Sequence, residues 1–159
     1  MRKVSQQFGS NLTDVGFGTQ LAPLAGVGGQ KWISSNMQNA LTILVVDDEF
    51  TVRRYVSQLL QRTGYGVLEA HSGPDAIRVS EQHQGPIDLL LSDMVMPGGM
   101  TGDELAAILK RVHPTMRVVL MSGYHQSLFA GETRWPFLPK PFQSATLIER
   151  VKQALAADH

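Results

Sequence analysis

The chain has 159 residues, the size of one ordinary domain, with 43% hydrophobic residues, 14 basic against 14 acidic side chains, and no cysteine. That balance gives no basic footprint for nucleic acid or an anionic membrane, and the absence of cysteine excludes a disulfide framework and a thiolate metal site. No apolar run approaches the roughly 18 residues of a membrane helix. Ser5, Gln6, Gln7 and Gly9 follow Arg2 and Lys3 where a signal peptide would turn apolar, so a cytoplasmic address is expected.

Residues 1–40 hold six of the fifteen glycines, with three basic residues and one acidic, and sustain neither a 3.6 nor a 2 period. They read as a flexible N-terminal tail or linker. Gly26-Val27-Gly28-Gly29 could cradle a phosphate only between a strand and a helix, and neither pattern flanks it. Met37 precedes the first strong strand pattern, so a start there or an upstream domain joined through this segment are both physically sensible.

From residue 41 short apolar runs alternate with helix-period segments, the pattern of βα units around a parallel sheet. Thr42-Ile43-Leu44-Val45-Val46 is the first strand. Val52, Tyr55, Val56, Leu59 and Leu60 then trace a helical stripe that ends near Gly64. Gly66 to Ala70 forms a second strand, and Ser72 is an N-cap with Pro74 in the first turn of a second helix, weakly apolar through Ala76 and Ile77. Asp88 to Ser92 is a third strand whose lack of alternation suits burial on both faces. Thr101 and Glu104 make a capping-box signature before Leu105, Ile108, Leu109 and Val112, and His113-Pro114 stops that helix. Met116 to Met121 is a fourth strand and Phe137-Leu138 belongs to a short fifth. Between them residues 124–131 offer only Leu128 and Phe129 as anchors for a fourth helix. A fifth, Ser144 to about Ala157, is expected to bury Leu147, Ile148, Val151 and Leu155.

The pattern implies a doubly wound α/β domain over residues 41–157, and such sheets bind ligands at the carboxyl ends of their strands. Those ends carry Asp47-Asp48-Glu49, Ser92-Asp93, Ser122-Gly123 and Pro139-Lys140-Pro141. Alone, an acidic doublet after a strand is usually a solvated turn and a lysine an ordinary surface charge. Their convergence on one rim changes the reading, because carboxylates ~4 Å apart repel by about 4 kcal/mol per pair at an effective dielectric near 20. A cation must offset this. Oxygen-only donors favour a hard ion such as Mg2+, and Lys140 supplies a second, fixed positive charge.

The runs Ile43 to Glu49, Leu91 to Gly98, Met121 to Tyr124 and Phe137 to Phe142 closely resemble the receiver domain of two-component response regulators. The resemblance covers about residues 41–157 and implies a flavodoxin-like (βα)5 fold, a five-stranded parallel sheet of order 2-1-3-4-5. It also implies that Asp93 is the phosphoacceptor, whose carboxylate attacks the phosphorus of a phosphohistidine. Asp48 and Asp93 would bind Mg2+ directly, Asp47 through water, and Val95 through its carbonyl. Lys140 and the Ser122 hydroxyl would hold phosphoryl oxygens, and movement of Ser122 would let Phe137 turn inward as the switch. Val95 and Tyr124, two residues beyond Asp93 and Ser122, would tune the lifetime. Neither is an acid or amide suited to orienting water, so slow hydrolysis is expected.

The implied partners are a histidine kinase or histidine phosphotransfer protein, docking near Arg53, Arg54 and Gln58, and a downstream protein. A homodimer through the face of the fourth and fifth helices is a further arrangement open to such a domain. Neither direct nucleic-acid binding nor membrane insertion is expected, and the only catalysis is of the domain's own phosphorylation and dephosphorylation. A haloacid-dehalogenase phosphatase would need an acid at position 95 and its nucleophile after the first strand. A flavodoxin would need a Ser/Thr/Gly phosphate loop where Asp47-Asp48-Glu49 stands. A stand-alone receiver, the C-terminal receiver of a hybrid sensor histidine kinase, and a binding-only pseudo-receiver remain as contexts.

Overall fold

A computed structural model describes residues 40–123 and 134–157. The elements run β1 (Thr42–Val46), α1 (Phe50–Arg62), β2 (Gly66–Ala70), α2 (Gly73–Gln82), β3 (Leu89–Asp93), α3 (Gly102–Val112), β4 (Arg117–Ser122), β5 (Phe137–Pro139) and α4 (Ser144–Ala156). The last of these is the fifth helix of the sequence reading, since the segment 124–131 lies outside the described residues. The five strands are parallel in the order 2-1-3-4-5.

Alternation along each strand separates two cores. Leu44, Val46, Leu90, Val118, Leu120 and Phe137 point to one face and join Ala76 of α2 with Leu105 and Leu109 of α3. Ile43, Val45, Leu89, Leu91, Val119, Met121 and Leu138 point to the other and join Val56 and Leu60 of α1 with Leu147 and Val151 of α4. Each such side chain taken fully from water contributes about 1.5–3 kcal/mol, so the two-sided covering of β1 and β3 anchors the sheet.

The caps form as their residue types dictate. Ser72 Oγ accepts from the Asp75 amide at 3.3 Å, and Thr101 and Glu104 close the reciprocal box at 3.2 and 2.8 Å. Gly64 takes a φ of 95° just after α1, where a side chain would be strained.

The buried helix stripes are narrower than spacing alone suggests. Tyr55 is 46% exposed and Val112 67%, with Ile108 also exposed, because α1 turns Val56, Ser57 and Leu60 inward while α3 buries Gly102, Leu105, Ala106 and Leu109. In α4, Ala154 is buried with Leu147 and Val151, whereas Ile148 and Leu155 are half-buried at its edges.

Ser57 is a polar residue on the buried face of α1, and its Oγ has no hydrogen-bond partner among the described residues. A desolvated, unpaired hydroxyl is destabilising, and alanine is also the better helix former. Ser57→Ala is expected to raise stability by about 1 kcal/mol, seen as a higher urea midpoint. A lower midpoint would show that the hydroxyl has a stabilising role.

Candidate functional site

Strand register places the site residues. Val46 pairs with Ser92, so Asp47 and Asp93 fall level on neighbouring strands. Asp93 pairs with Met121 and Ser122 with Pro139, so Ser122 and Lys140 follow one and two residues beyond that level. The backbone ladder continues past β5, with the Lys140 amide donating to the Ser122 carbonyl at 2.7 Å, and the peptide from Lys140 to Pro141 is cis.

At the centre the Lys140 ammonium donates to Asp47 Oδ2 at 2.7 Å and to Asp93 Oδ2 at 2.9 Å. Asp47 is fully buried, Asp93 half-buried and Asp48 exposed, and carboxylate oxygens of all three lie within 4.8 Å of one another. The Glu49 amide donates to Asp47 Oδ1 at 2.9 Å, and the Val95 amide lies 3.4 Å from Asp93 Oδ1.

Burial pushes the Asp47 carboxyl above the ordinary aspartate range, against the opposing pull of the Lys140 hydrogen bond and charge and the Glu49 amide; the charge of Asp93 adds to the rise. For Lys140, burial acts to lower the pKa. The hydrogen bonds and charges of Asp47 and Asp93 outweigh it, so the ammonium is held above its usual value.

These donors fit a hard divalent cation. Three carboxylates lie together while the Lys140 ammonium pairs with only two of them, every candidate ligand is oxygen, and Asp48 faces solvent, where hydrated ions arrive.

Ser122 is buried at the end of β4 beside this centre. Phe137 is 7% exposed and belongs to the core cluster of Leu120, Met94 and Met96. The ring expected to turn inward is therefore already inside. Val95 is 48% exposed beside Asp93, and Tyr124 lies outside the described residues.

The sequence reading missed two features. Arg53, assigned by its place on the first helix to a docking face, is turned inward and donates from Nη1 to the Asp47 carbonyl at 2.6 Å. A cavity of about 510 Å³ also opens beside the acidic centre, lined by Glu49, Val52, Tyr55, Lys140, Pro141 and Phe142 among others. Tyr55 gave a signal for it, being an amphipathic aromatic at the margin of its helical stripe.

A family model described as the response regulator receiver domain matches residues 43–152. The chain belongs to that family. Receiver domains serve two-component signalling, and this one shares 36% identity over 138 residues with the sensor kinase CckA of Brucella abortus, covering 84% of this chain but only 14% of CckA. It is 30% identical over 120 residues to the response regulator receiver protein CpdR of the same organism, covering 72% of this chain and 97% of CpdR. A crystal structure of the receiver domain of the hybrid histidine kinase CckA superposes with a TM-score of 0.62 at 44% identity, covering 72% of this chain and 98% of that domain. Receiver domains generally bind Mg2+ at an acidic pocket and interact with histidine kinases or phosphotransfer proteins, and this chain gathers Asp47, Asp48 and Asp93 in one acidic cluster. Among the described residues no helix is long and apolar enough to cross a membrane.

A carboxyl whose pKa is raised on folding opposes folding at neutral pH. The penalty begins as pH rises past the unfolded value, about 3.9, and is complete above the folded one. Asp47→Asn is therefore expected to raise the metal-free Tm at pH 7 by a few degrees, with the gain vanishing below about pH 4. An unchanged or lower Tm at pH 7 would mean that the Lys140 pair stabilises more than burial costs.

Proposed function

We propose that Asp93 is the phosphoacceptor of a phosphorelay receiver, with residues 41–157 as the receiver unit and residues 1–40 as a tail or linker. The observation that carries this reading is Lys140 Nζ held 2.9 Å from Asp93 Oδ2 beside two further carboxylates. An Asp93 oxygen attacks phosphorus, the P–N bond to the donor imidazole breaks, and a P–O bond forms. Lys140 then follows the negative charge from the carboxylate to a phosphoryl oxygen, and the Ser122 hydroxyl accepts the role of donor to another. Asp48, Asp93 and the Val95 carbonyl would hold Mg2+, with Asp47 acting through water; the ion supplies charge to the phosphoryl oxygens.

Because Phe137 is already in the core, the readout we infer is a repacking about Ser122 and Phe137 rather than entry of an exposed ring. Carrying a population from 1:99 to 99:1 requires about 5.5 kcal/mol of differential stabilisation, within reach of several charge-assisted contacts. The reading makes the chain a cytoplasmic signalling domain whose only catalysis is of its own phosphorylation and dephosphorylation. Its upstream partner is a histidine kinase or phosphotransfer protein and its downstream partner a protein. On α1 the exposed Arg54 and Gln58 suit docking. A homodimer through the face of the fourth and fifth helices of the sequence reading, the fourth lying outside the described residues, belongs to the same reading.

The similarity to CckA favours a second context, the receiver of a hybrid histidine kinase, while the near-complete coverage of CpdR favours a stand-alone receiver. The coding sequence upstream of Met1 separates them.

The deciding measurement is intact mass after incubation with acetyl phosphate, with and without Mg2+. One phosphoryl increment is expected on the wild type with Mg2+ and none on Asp93→Asn. An increment that survives in Asp93→Asn would move the acceptor elsewhere, and none under any condition would favour a binding-only receiver.

Val95 generates a separate expectation. Its exposed side chain cannot orient water, so Val95→Asn should speed loss of the phosphoryl group several-fold, followed by the decay of the mass increment. An unchanged decay rate would remove Val95 from control of the lifetime.

A further inference from the structure

We infer that Arg53 is a positioning residue that fixes the Asp47–Asp48 peptide and so aims the Asp48 carboxylate at the acidic centre. This rests on reading that centre as a metal-assisted phosphoacceptor site. Arg53 and Arg54 are adjacent in sequence and differ sharply in setting, with side chains 13% and 53% exposed. Both approach Glu69 of β2, at 3.6 and 3.5 Å. Only Arg53 also reaches the rim, where Nη1 donates to the Asp47 carbonyl oxygen at 2.6 Å, a charge-assisted bond. Its guanidinium lies 5.6 Å from the centre of the Phe50 ring, which borders it on a third side.

The consequence follows from the planarity of the peptide unit. A carbonyl oxygen held in place fixes the plane it belongs to, and with it the direction in which the next residue leaves. That next residue is Asp48, whose carboxylate is exposed and makes no hydrogen bond among the described residues. Its aim therefore depends on its backbone. Asp47 is held on both sides, by the Glu49 amide and Lys140 at the carboxylate and by Arg53 at the carbonyl. Groups hydrogen-bonded directly to a metal ligand commonly set metal affinity by about 10–100-fold, and Arg53 acts one peptide further back, through the Asp47 carbonyl, so its effect is expected at the low end of that range.

The alternative is that Arg53 matters only as a charge. The two make opposite predictions, because a nearby guanidinium repels a divalent cation and its loss would then tighten binding. The test uses the full chain as wild type, Arg53→Met, Arg53→Lys and Arg54→Met. It measures Mg2+ affinity by calorimetry and, without metal, hydrogen exchange at the Asp48 and Glu49 amides.

Arg53→Met is expected to weaken Mg2+ binding about tenfold and to speed Glu49 amide exchange by a similar factor. Arg53→Lys should recover most of both, since an ammonium can still donate to the carbonyl, and Arg54→Met should alter neither. Unchanged or tighter Mg2+ binding in Arg53→Met, or unchanged exchange at Glu49, would overturn the inference. A wild type that binds no Mg2+ would instead sink the metal reading of the acidic centre, and the exchange comparison would still decide whether Arg53 holds the turn.

Discussion

The site depends on one ammonium set between two carboxylates, one of them fully buried. Asp47 stands at the end of a strand covered on both faces, so water does little to stabilise its charge. Lys140 arrives from the far side of the sheet, past β5, to lie within 2.9 Å of both Asp47 and Asp93. Removing Lys140 would leave the buried Asp47 carboxylate without its cation, which costs more than never having buried the pair, whereas removing the Asp47 charge leaves the ammonium still paired with Asp93. The parallel register makes this meeting possible, because it brings the ends of β1, β3, β4 and β5 to one rim with their side chains in fixed order.

That arrangement holds charge in reserve. With Asp48 close to the other two carboxylates, the centre carries more negative than positive groups, and Lys140 satisfies only part of the excess. The surplus suits a cation, while the Lys140 ammonium opposes the rise that burial imposes on the Asp47 carboxyl and holds it in place. The raised pKa of Asp47 is the thermodynamic trace of the conflict. A core with an apolar residue at that position would be easier to fold and unable to gather the charge that a phosphoryl group requires.

Most of the fold could be read from the sequence because its central strands β1, β3 and β4 are buried on both sides. Leu89-Leu90-Leu91 and Ile43 to Val46 are unbroken apolar runs for that reason, and Ser72, Thr101 and Glu104 marked their helix starts through a local chemistry that tertiary packing does not disturb. The acidic rim was legible for a related reason, since strand ends in such a sheet must share an edge. What could not be read is which way individual side chains turn. Spacing put Tyr55 and Val112 on apolar stripes, yet both lie past the margin of the face that their helices bury. Arg53 and Arg54 are the same residue type one position apart, and only the rotation of α1 over β2 sends one to the Asp47 carbonyl and leaves the other exposed. The inward placement of Phe137 likewise comes from packing around β4 and β5, which a residue type cannot report.

On the proposed reading, the edge strand offers the route by which chemistry at the rim would become a change in shape. β5 has three residues and pairs on one side only, so few bonds hold it compared with β1 or β3. Its ladder is extended at each end, by the Leu120 amide to the Pro136 carbonyl at 2.9 Å and by the Lys140 amide to the Ser122 carbonyl at 2.7 Å. The second of these joins the backbones of the two residues whose side chains meet the phosphoryl group in the proposed chemistry. Any shift that Ser122 or Lys140 makes toward new charge therefore loads the weakest-held strand of the sheet directly. Phe137, at the other end of that strand, is packed against the core rather than against solvent. Segments with few backbone bonds open at lower free energy than the covered centre of a sheet, so under the proposed chemistry a response would be directed into β5 while β1 and β3 keep the acidic centre assembled.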